Sequence, residues 1–299
     1  MKSNKSGLIF SIKRFEINDG VGVRTTVFLK GCPLECLWCH NPEGLSKKQE
    51  IGVFSQKCIG CMDCANECEC HLFTDSGRVF LRDKCKGCMK CADLCVSGAI
   101  VEYGKKYSAE EVLFEVLKDR EIYEKTGGGI TLSGGEPFAQ NEATVELLKA
   151  CKANGLSTVV ETCGYCNTDV LISAIPYVDL FLWDIKDTDD KRHKQYTGVS
   201  NKKILENLSV INELGAKIRL RCILVNGVNT DKTHYKELAA IAKKINNFDG
   251  LELIPYHAYG GTKSVFLGFA DSGSVEWIPT EQQILEAKTI LKSEGVNVI

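Results

Sequence analysis

The sequence predicts an α/β fold, a (β/α) barrel or partial barrel of the TIM type that carries an inserted cysteine-rich segment. Apolar runs of strand length alternate with amphipathic helical patterns, which is typical of a parallel sheet. Polar residues follow several of these runs at the carboxyl end, where a TIM-type barrel builds its active site. Without the segment from about residue 55 to residue 103, ~250 residues remain, the usual size of such a barrel.

The predicted strands are short apolar runs, and the polar residues that end them are the first candidates for a site. The strands cover residues 25–29, 130–132, 158–161, 180–185, 218–225 and 251–255. Because the carboxyl ends of parallel strands meet on one side of a barrel, we expect the side chains that follow them to converge. These are Ser133 to Glu136, Glu161 with Thr162, Asp184 with Lys186, Asn226, and His257.

The segments between the strands have apolar residues three and four positions apart, as amphipathic helices do. Two of them begin with the pattern of a capping box, in which two side chains three residues apart bond to the first free backbone N–H groups. The pairs are Ser108 with Glu111 and Thr280 with Gln283. Helices are therefore predicted to begin after Ser108 and after Thr280.

Charge and cysteine content narrow the class of protein. The chain has 299 residues and a formal net charge of −2, so it offers no basic surface for nucleic acid or for an anionic membrane. No apolar run reaches the ~18 residues of a membrane span, and residues 8–10 are too short a core for a secretion signal. A cytoplasmic location is expected, where thiols stay reduced. The 16 cysteines, 12 of them from Cys32 to Cys95, then indicate metal.

One cysteine pattern, C-x2-C-x2-C-x3-C, occurs twice inside the inserted segment, from Cys58 to Cys68 and again from Cys85 to Cys95. This is the spacing of bacterial two-cluster ferredoxins, in which the fourth cysteine of each run binds the other cluster. The spacing therefore predicts two auxiliary 4Fe-4S clusters. One is held by Cys58, Cys61, Cys64 and Cys95, and the other by Cys68, Cys85, Cys88 and Cys91.

Two alternatives to these ligand sets remain. Glu69 and Val96 stand where the ferredoxin pattern has proline, so Cys70 could replace Cys68 as a ligand. Structural zinc sites also use C-x2-C pairs, but four cysteines per run at this spacing favour iron and sulfur.

We predict three units: residues 1–54 begin the barrel and hold a catalytic cluster loop, residues 55–103 form the ferredoxin-like insertion, and residues 104–299 complete the barrel.

A different cysteine arrangement precedes the insertion. Cys32, Cys36 and Cys39 are spaced to bind three irons of a 4Fe-4S cluster and to leave the fourth iron without a thiolate. An open position of this kind distinguishes a catalytic metal site from a closed structural one. His40 is poorly placed to fill that position because it directly follows Cys39. Trp38 either packs under the loop or contacts a flat ligand.

Five ordered motifs resemble those of the radical S-adenosylmethionine enzymes and, within them, the glycyl-radical-enzyme activating enzymes. Residues 19–25 (DGVGVRT) are similar to the family pattern DGPGxRT, with Val21 in place of proline. The cysteine triplet is similar to CxxxCxxC. The remaining three motifs are residues 128–137 (GGITLSGGEP), 184–186 (DIK) and 255–263 (PYHAYGGTK). The resemblance covers nearly the whole chain.

The resemblance implies that S-adenosylmethionine binds the open iron of the catalytic cluster on Cys32, Cys36 and Cys39. It places the cofactor against Trp38, Cys39, His40, Gly134, Gly135, Glu136, Asp184, Ile185, Lys186, Arg221 and His257. A lone strand arginine such as Arg221 is equally compatible with a structural ion pair. The resemblance also maps a monovalent cation (Na⁺ or K⁺) onto Glu161, Thr162, the Leu182 carbonyl and Asp184. Glu161 is one methylene longer than the aspartate of the family, which leaves that cation open.

The resemblance further implies a function. The enzyme would cleave S-adenosylmethionine reductively to a 5′-deoxyadenosyl radical and take a hydrogen from a glycine of a partner glycyl radical enzyme. The auxiliary clusters would relay electrons from a flavodoxin or ferredoxin. Residues 256–277, rich in glycine, serine and aromatic side chains, are expected to be mobile surface loops that recognise the partner.

Two alternative functions remain from the sequence, a radical S-adenosylmethionine enzyme that acts on a small molecule and a non-catalytic iron-sulfur electron-transfer protein. The second leaves the triplet from Cys32 to Cys39 unexplained. Four further cysteines are interpreted as small apolar side chains that pack in the barrel. They are Cys151, Cys163, Cys166 and Cys222.

Overall fold

The computed structural model describes residues 6–75, 77–271 and 273–299, so residues 1–5 of the predicted first unit lie outside the described residues. The strands are β1 (Ser6–Glu16), β2 (Arg24–Leu29), β3 (Glu50–Val53), β4 (His71–Thr74), β5 (Gly77–Phe80), β6 (Ile100–Tyr103), β7 (Lys105–Ser108), β8 (Gly129–Gly134), β9 (Ser157–Thr162), β10 (Leu180–Asp184), β11 (Ile218–Leu224) and β12 (Phe248–Pro255). The helices are α1 (Asp63–Glu67), α2 (Lys90–Leu94), α3 (Ala109–Leu117), α4 (Arg120–Thr126), α5 (Asn141–Ala153), α6 (Thr168–Ala174), α7 (Asp190–Thr197), α8 (Lys202–Glu213), α9 (Lys232–Ala242), α10 (Tyr259–Phe266) and α11 (Glu281–Ser293).

One sheet in the order β12-β11-β10-β9-β8-β2-β1-β7 forms the centre of the protein. Strands β2 and β8 to β12 are parallel, as the alternation of strands and helices predicts. Strands β1 and β7 extend the sheet, and β1 is antiparallel to both of its neighbours, β2 and β7. Strand β7 therefore runs in the same direction as the parallel strands. Within the described residues the two outermost strands, β12 and β7, do not pair with each other, so the sheet is a partial TIM-type barrel.

The predicted strands all occur, and most of the strand ends move by one to three residues. Sequence reasoning missed β1 and β7, because a half-exposed strand at the edge of a sheet carries polar residues and lacks a continuous apolar run. The central strands are buried on both faces. In β10, Phe181, Leu182 and Trp183 have no exposed surface.

Both predicted capping boxes are confirmed. The Ser108 hydroxyl accepts a hydrogen bond from the Glu111 N–H at 3.2 Å, and the Glu111 carboxylate accepts one from the Ser108 N–H at 2.7 Å. Thr280 and Gln283 make the same pair of bonds at the start of α11. These caps begin two helices that cover the outer face of the sheet.

The cysteine-rich segment folds around two small antiparallel sheets, β3 with β6 and β4 with β5. In the first sheet, the strand that enters the segment, β3, pairs with the strand that leaves it, β6. The two copies of the cysteine repeat have the same local structure, since Met62 and Met89 both adopt left-handed backbone angles immediately before α1 and α2. Residue 76 lies outside the described residues. The division at residues 54 and 103 stays a prediction.

Residues 256–277 contain a helix where mobile loops were expected. Helix α10 buries Gly260, Gly261 and Ser264 against the rest of the protein, and residue 272 lies outside the described residues. Among the helices of the described ranges, none has both the length and the apolar character of a membrane span.

Candidate functional site

A cavity at the carboxyl ends of the strands brings together side chains from most of the motifs. Cys32, Cys36 and Cys39 lie in the loop after β2 and line this cavity. Residues at the carboxyl ends of β8, β9 and β10 line the same cavity, as the polar strand ends predicted. The predicted residues that line the cavity are Cys32, Cys36, Trp38, Cys39, His40, Gly134, Gly135, Glu161, Thr162, Asp184 and Lys186.

Two glycines allow the loop after β8 to lie against the loop that carries the cysteines. Gly134 has a φ of +116°, and a β-carbon there would lie 2.4 Å from the backbone nitrogen and oxygen of Leu29. A β-carbon on Gly135 would lie 2.4 Å from the carbonyl oxygens of Gly31 and Gly44. Only glycine fits so close a backbone approach. The main chain of this loop therefore forms one wall of the cavity.

The Glu136 carboxylate holds the ends of β8 and β9 together. It accepts hydrogen bonds from the Thr162 hydroxyl at 2.8 Å, from the Cys163 N–H at 2.8 Å and from the Phe138 N–H at 3.0 Å. Burial raises the pKa of this carboxyl above its usual range. Glu136 lies behind the cavity wall, and its predicted contact with the cofactor stays a prediction.

Lys186 and Asp184 form a largely buried ion pair at the end of β10. The ammonium nitrogen of Lys186 lies 2.7 Å from a carboxylate oxygen of Asp184, and each side chain is 12% exposed. Burial disfavours the charged lysine, but the carboxylate of Asp184 outweighs it and raises the pKa of Lys186. The cavity therefore contains a fixed positive charge beside the cysteine loop.

Glu161 on β9 and Arg221 on β11 form a second ion pair. The two residues lie on the strands that flank β10. The Arg221 guanidinium lies 2.8 Å from Glu161 and 3.2 Å from Glu252. Burial alone would raise the pKa of Glu161, but the charge of Arg221 reverses this effect and lowers it. Of the two sequence interpretations of Arg221, the structure shows the ion pair, and the arginine also faces a second cavity described below.

The proposed cation ligands are engaged with other side chains. Glu161 contacts Arg221, Asp184 contacts Lys186, and the Thr162 hydroxyl donates to Glu136. Leu182 is fully buried beside Val159 and Leu180. In the described part of the chain, no three His, Cys, Asp or Glu side chains are arranged to hold a single ion. The monovalent cation stays a prediction.

A second cavity adjoins the first and shares Trp38, His40 and Glu161 with it. It also contains Arg221 and His257, and the rings of His40 and His257 meet edge to face with their centres 4.4 Å apart. The two cavities together contain or border most of the predicted cofactor residues. Ile185 differs, since its side chain is buried in the main core and its N–H donates to the Arg221 carbonyl at 2.8 Å.

Of the two sequence interpretations of Trp38, the structure shows packing, and contact with a flat ligand stays a prediction. Its ring packs with Val225, Val228 and Tyr256 in a separate apolar cluster and is 3% exposed. The same ring lines both cavities. Packing therefore fixes the orientation of a flat surface that faces the site.

Cys163 is buried, as its interpretation as a packing residue predicts, but sequence reasoning missed that it also lines the site. Its thiol contacts the Cys32 thiol and the Glu136 carboxylate, and Cys163 lines the cavity with the three predicted cysteines. Contact with Cys32 and burial raise the pKa of Cys163. Its position directly after Glu161 and Thr162, at a polar strand end, was the available signal.

The cysteines of the insertion group in space as two sets. Cys58, Cys61, Cys64 and Cys95 line one cavity, which we call the outer set. Burial and the charges of the neighbouring Cys68, Cys85 and Cys88 raise the pKa of Cys91, and we call these four cysteines the inner set. This grouping agrees with the crossed pairing expected from the spacing. Cys70 contacts Cys68, so it stays an alternative ligand.

Comparison with known proteins places this geometry in a family. A family profile described as a 4Fe-4S single cluster domain matches residues 18–205. The choline trimethylamine-lyase activating enzyme of Oleidesulfovibrio alaskensis is 40% identical over 273 residues, 89% of this chain and 88% of that protein. The trans-4-hydroxy-L-proline dehydratase activating enzyme of Clostridioides difficile is 38% identical over 295 residues, 97% of each chain.

A solved structure supports the fold independently. The chain is similar to a radical SAM methyltransferase from Sphaerobacter thermophilus with a TM-score of 0.54 and 15% identity, over 98% of this chain and 76% of that one. This similarity shows that an enzyme with a much more distant sequence has the same fold. The family profile and the two relatives show that the chain belongs to the glycyl-radical-enzyme activating enzymes of the radical S-adenosylmethionine family.

Proposed function

We propose that the protein cleaves S-adenosylmethionine reductively to a 5′-deoxyadenosyl radical, which removes a hydrogen atom from one glycine of a partner glycyl radical enzyme. The observation that carries this proposal is the cavity shared by Cys32, Cys36, Cys39 and the backbone of Gly134 and Gly135. It combines three thiolates of suitable spacing for a cluster with a wall of main chain and a buried positive charge.

The residues that line the cavity fit both a 4Fe-4S cluster and S-adenosylmethionine. Three thiols that face one cavity suit a 4Fe-4S cluster with one open iron, and that cluster supplies the electron when it is bound. Lys186 provides a positive charge for the carboxylate of S-adenosylmethionine. The main chain at Gly134 and Gly135 provides hydrogen-bonding groups for its amino end. Trp38, which is almost fully buried, limits the access of water.

The second cavity supports a protein substrate. It adjoins the cofactor cavity, and it is lined by β1 and by β12, which are not paired with each other among the described residues. A glycine on an extended loop could enter between these strands. The named partners of three relatives are choline trimethylamine-lyase, isethionate sulfite-lyase and trans-4-hydroxy-L-proline dehydratase. A glycyl radical enzyme is therefore the proposed class of partner.

The proposal includes two auxiliary 4Fe-4S clusters on the outer and inner sets, which relay electrons from a reduced flavodoxin or ferredoxin. It also includes a monovalent cation that joins Glu161 and Asp184 when S-adenosylmethionine is bound. Four thiols around one cavity support the first part, since a 4Fe-4S cluster needs that donor set. A cytoplasmic location follows from the need to keep 11 ligand thiols reduced.

The test uses anaerobically purified full-length protein, reconstituted with iron and sulfide and reduced with dithionite. With S-adenosylmethionine alone we expect 5′-deoxyadenosine. A glycyl radical doublet in the EPR spectrum should appear only when one of the three named lyases or dehydratases is added. Cys151→Ala is the control variant, because this thiol packs in the barrel core and should leave both signals unchanged.

Two outcomes would contradict the proposal. Absence of 5′-deoxyadenosine under every reducing condition would identify an electron-transfer protein. 5′-Deoxyadenosine that forms only with an added small molecule, without a protein radical, would identify a small-molecule enzyme.

A further inference from the structure

The outer and inner sets of cysteines have different surroundings. The cavity of the outer set is lined by residues of the insertion alone, as far as the described residues show. Three large apolar side chains of its lining are exposed, and so is Val96, which lies between the lining residues Cys95 and Ser97 in the chain. We call these four side chains the apolar rim. They are Ile59 (67% exposed), Met62 (47%), Leu94 (43%) and Val96 (84%).

The inner set faces the barrel. A cavity beside it is lined by Cys85, Gly87 and Met89 of the insertion and by residues 267–269, which directly follow α10. The inner set is thus the part of the insertion that meets the barrel chain at this point. The outer set has no barrel residue in the lining of its cavity within the described part of the chain.

Arg82 fixes this contact. Its guanidinium donates to the Ile51 carbonyl at 2.8 Å and to the Phe266 carbonyl, the last residue of α10, at 2.5 Å. The backbone of Gly268 packs directly on the arginine, since a β-carbon there would lie 2.1 Å from Nε. The rings of Phe54 and Phe266 add an aromatic contact, with centres 4.1 Å apart.

The other end of α10 contacts the loop of the catalytic cysteines. A β-carbon on Gly260 would lie 2.3 Å from the Cys39 carbonyl oxygen, so the helix backbone touches this loop. The ammonium group of Lys263 donates to the His40 carbonyl at 3.1 Å and lies 3.3 Å from Glu43. A helix of eight residues spans about 12 Å. Helix α10 therefore links the surroundings of the inner set to the catalytic loop.

We propose that the relay has a direction: electrons enter at the outer set, where a one-electron carrier protein docks on the apolar rim, and leave from the inner set across the Arg82 contact. The inference rests on the proposed function in that the two sets hold clusters. In each step one centre is oxidised by one electron and the next is reduced by one, and the insertion transfers no proton or group. A carrier must bring its own redox centre close to the first cluster. Exposed apolar side chains around that cluster suit such a docking surface.

The experiment measures the two electron transfers separately in the reconstituted full-length protein. Reduced flavodoxin is mixed anaerobically with the protein, and cluster absorbance and freeze-quenched EPR are followed. The catalytic cluster is identified by the change that S-adenosylmethionine causes in its EPR signal. Dithionite, which needs no docking surface, serves as the small reductant for comparison.

For the variant Val96→Asp we expect reduction by flavodoxin to slow by about tenfold, because a charge is placed in an apolar interface. Reduction by dithionite should not change. Phe114→Asp is the matched control, since Phe114 is likewise a large exposed apolar side chain (67%) but lies on α3 of the barrel. It should behave as the unmodified protein does with both reductants.

For the variant Arg82→Gln we expect only the second electron transfer, from the auxiliary clusters to the catalytic cluster, to slow. Flavodoxin should reduce the auxiliary clusters at the normal rate, and the electron should reach the catalytic cluster about tenfold more slowly, because the contact that positions the inner set is lost. Arg82→Lys, which keeps one donor and the charge, should be intermediate. Iron and sulfide content establishes that each variant has assembled its clusters, and Ile59→Asp replaces Val96→Asp if that variant does not assemble.

The proposal is overturned if Val96→Asp and Ile59→Asp are reduced by flavodoxin at the normal rate. It is equally overturned if Arg82→Gln slows the first transfer instead of the second. Neither measurement requires a glycyl radical. A correct relay direction in a protein that activates no partner would therefore contradict only the proposed function, whereas an unmodified protein without auxiliary clusters would contradict the relay.

Discussion

The barrel and the insertion are stabilised by different means. The barrel has a continuous core, in which Leu132 on β8, Phe181 on β10 and Leu220 on β11 have no exposed surface. The separate core of the insertion consists of Ile51, Cys64, Met89, Cys91 and Ile100, and two of these are predicted cluster ligands. So small an apolar core cannot stabilise a fold without a metal or a similar cross-link. We therefore expect the barrel to fold without clusters and the insertion to depend on them.

The variant Cys39→Ala tests the barrel side of this comparison, with the largest expected effect. Loss of one of only three thiolates removes the catalytic cluster, so formation of 5′-deoxyadenosine and of the glycyl radical should fall by at least about 1000-fold. The auxiliary clusters and the fold should remain. Product analysis, EPR and iron content measure the three quantities. If Cys39→Ala also loses the auxiliary iron, the two regions are not independent.

Removal of all iron tests the insertion side. After anaerobic oxidation and chelation, amide hydrogens of residues 55–103 should exchange at least about 100-fold faster, because metal binding supplies the folding free energy of this segment. The amides of β8 to β11 should stay protected within a few-fold, since apolar packing alone holds them. Hydrogen exchange with mass spectrometry compares these segments in one sample. Equal loss of protection in both would refute the comparison.

Features of the fold that depend on short stretches of the chain could be predicted from the sequence. Strands such as β10 were predictable because a run of apolar residues is a local property of the chain. The grouping of the outer set around one cavity was predictable from the spacing of the repeats, and its binding of a cluster stays a prediction. The capping box at Ser108 needs only residues three positions apart. Signals of this kind do not depend on the rest of the fold.

Features that depend on distant residues were not predictable. Strand β1 is polar along half its length because it lies near the edge of the sheet, and a single sequence does not show the edge. Helix α10 forms where Gly260 packs on Cys39, 221 residues earlier in the chain. Cys163 was assigned to packing because its contact with Cys32 exists only in the folded barrel. Each error reflects a tertiary contact that outweighs local sequence preference.

The variant Lys186→Met tests the buried ion pair with Asp184 in the barrel. Removal of the ammonium group leaves the Asp184 carboxylate buried without its partner, opposite the carboxylate of S-adenosylmethionine. Binding of S-adenosylmethionine should weaken about 10- to 100-fold, measured by its effect on the EPR signal of the catalytic cluster. Lys118→Met, which breaks an exposed pair with Glu115, is the control. Equal affinity in both variants would remove Lys186 from the cofactor site.

The smallest expected effect lies at the junction of the two regions. Ser108 ends β7, shortly after the insertion, and caps α3 of the barrel. Ser108→Ala should lower the free energy of unfolding by about 1 kcal/mol, because the Glu111 N–H loses its acceptor. Urea unfolding of cluster-loaded and cluster-free protein should give the same loss, since α3 packs on the barrel core. Thr280→Ala, at the equivalent cap of α11, provides the control far from the insertion in sequence. A loss at Ser108 that disappears without clusters, while the loss at Thr280 persists, would mean that the barrel depends on the insertion at their junction.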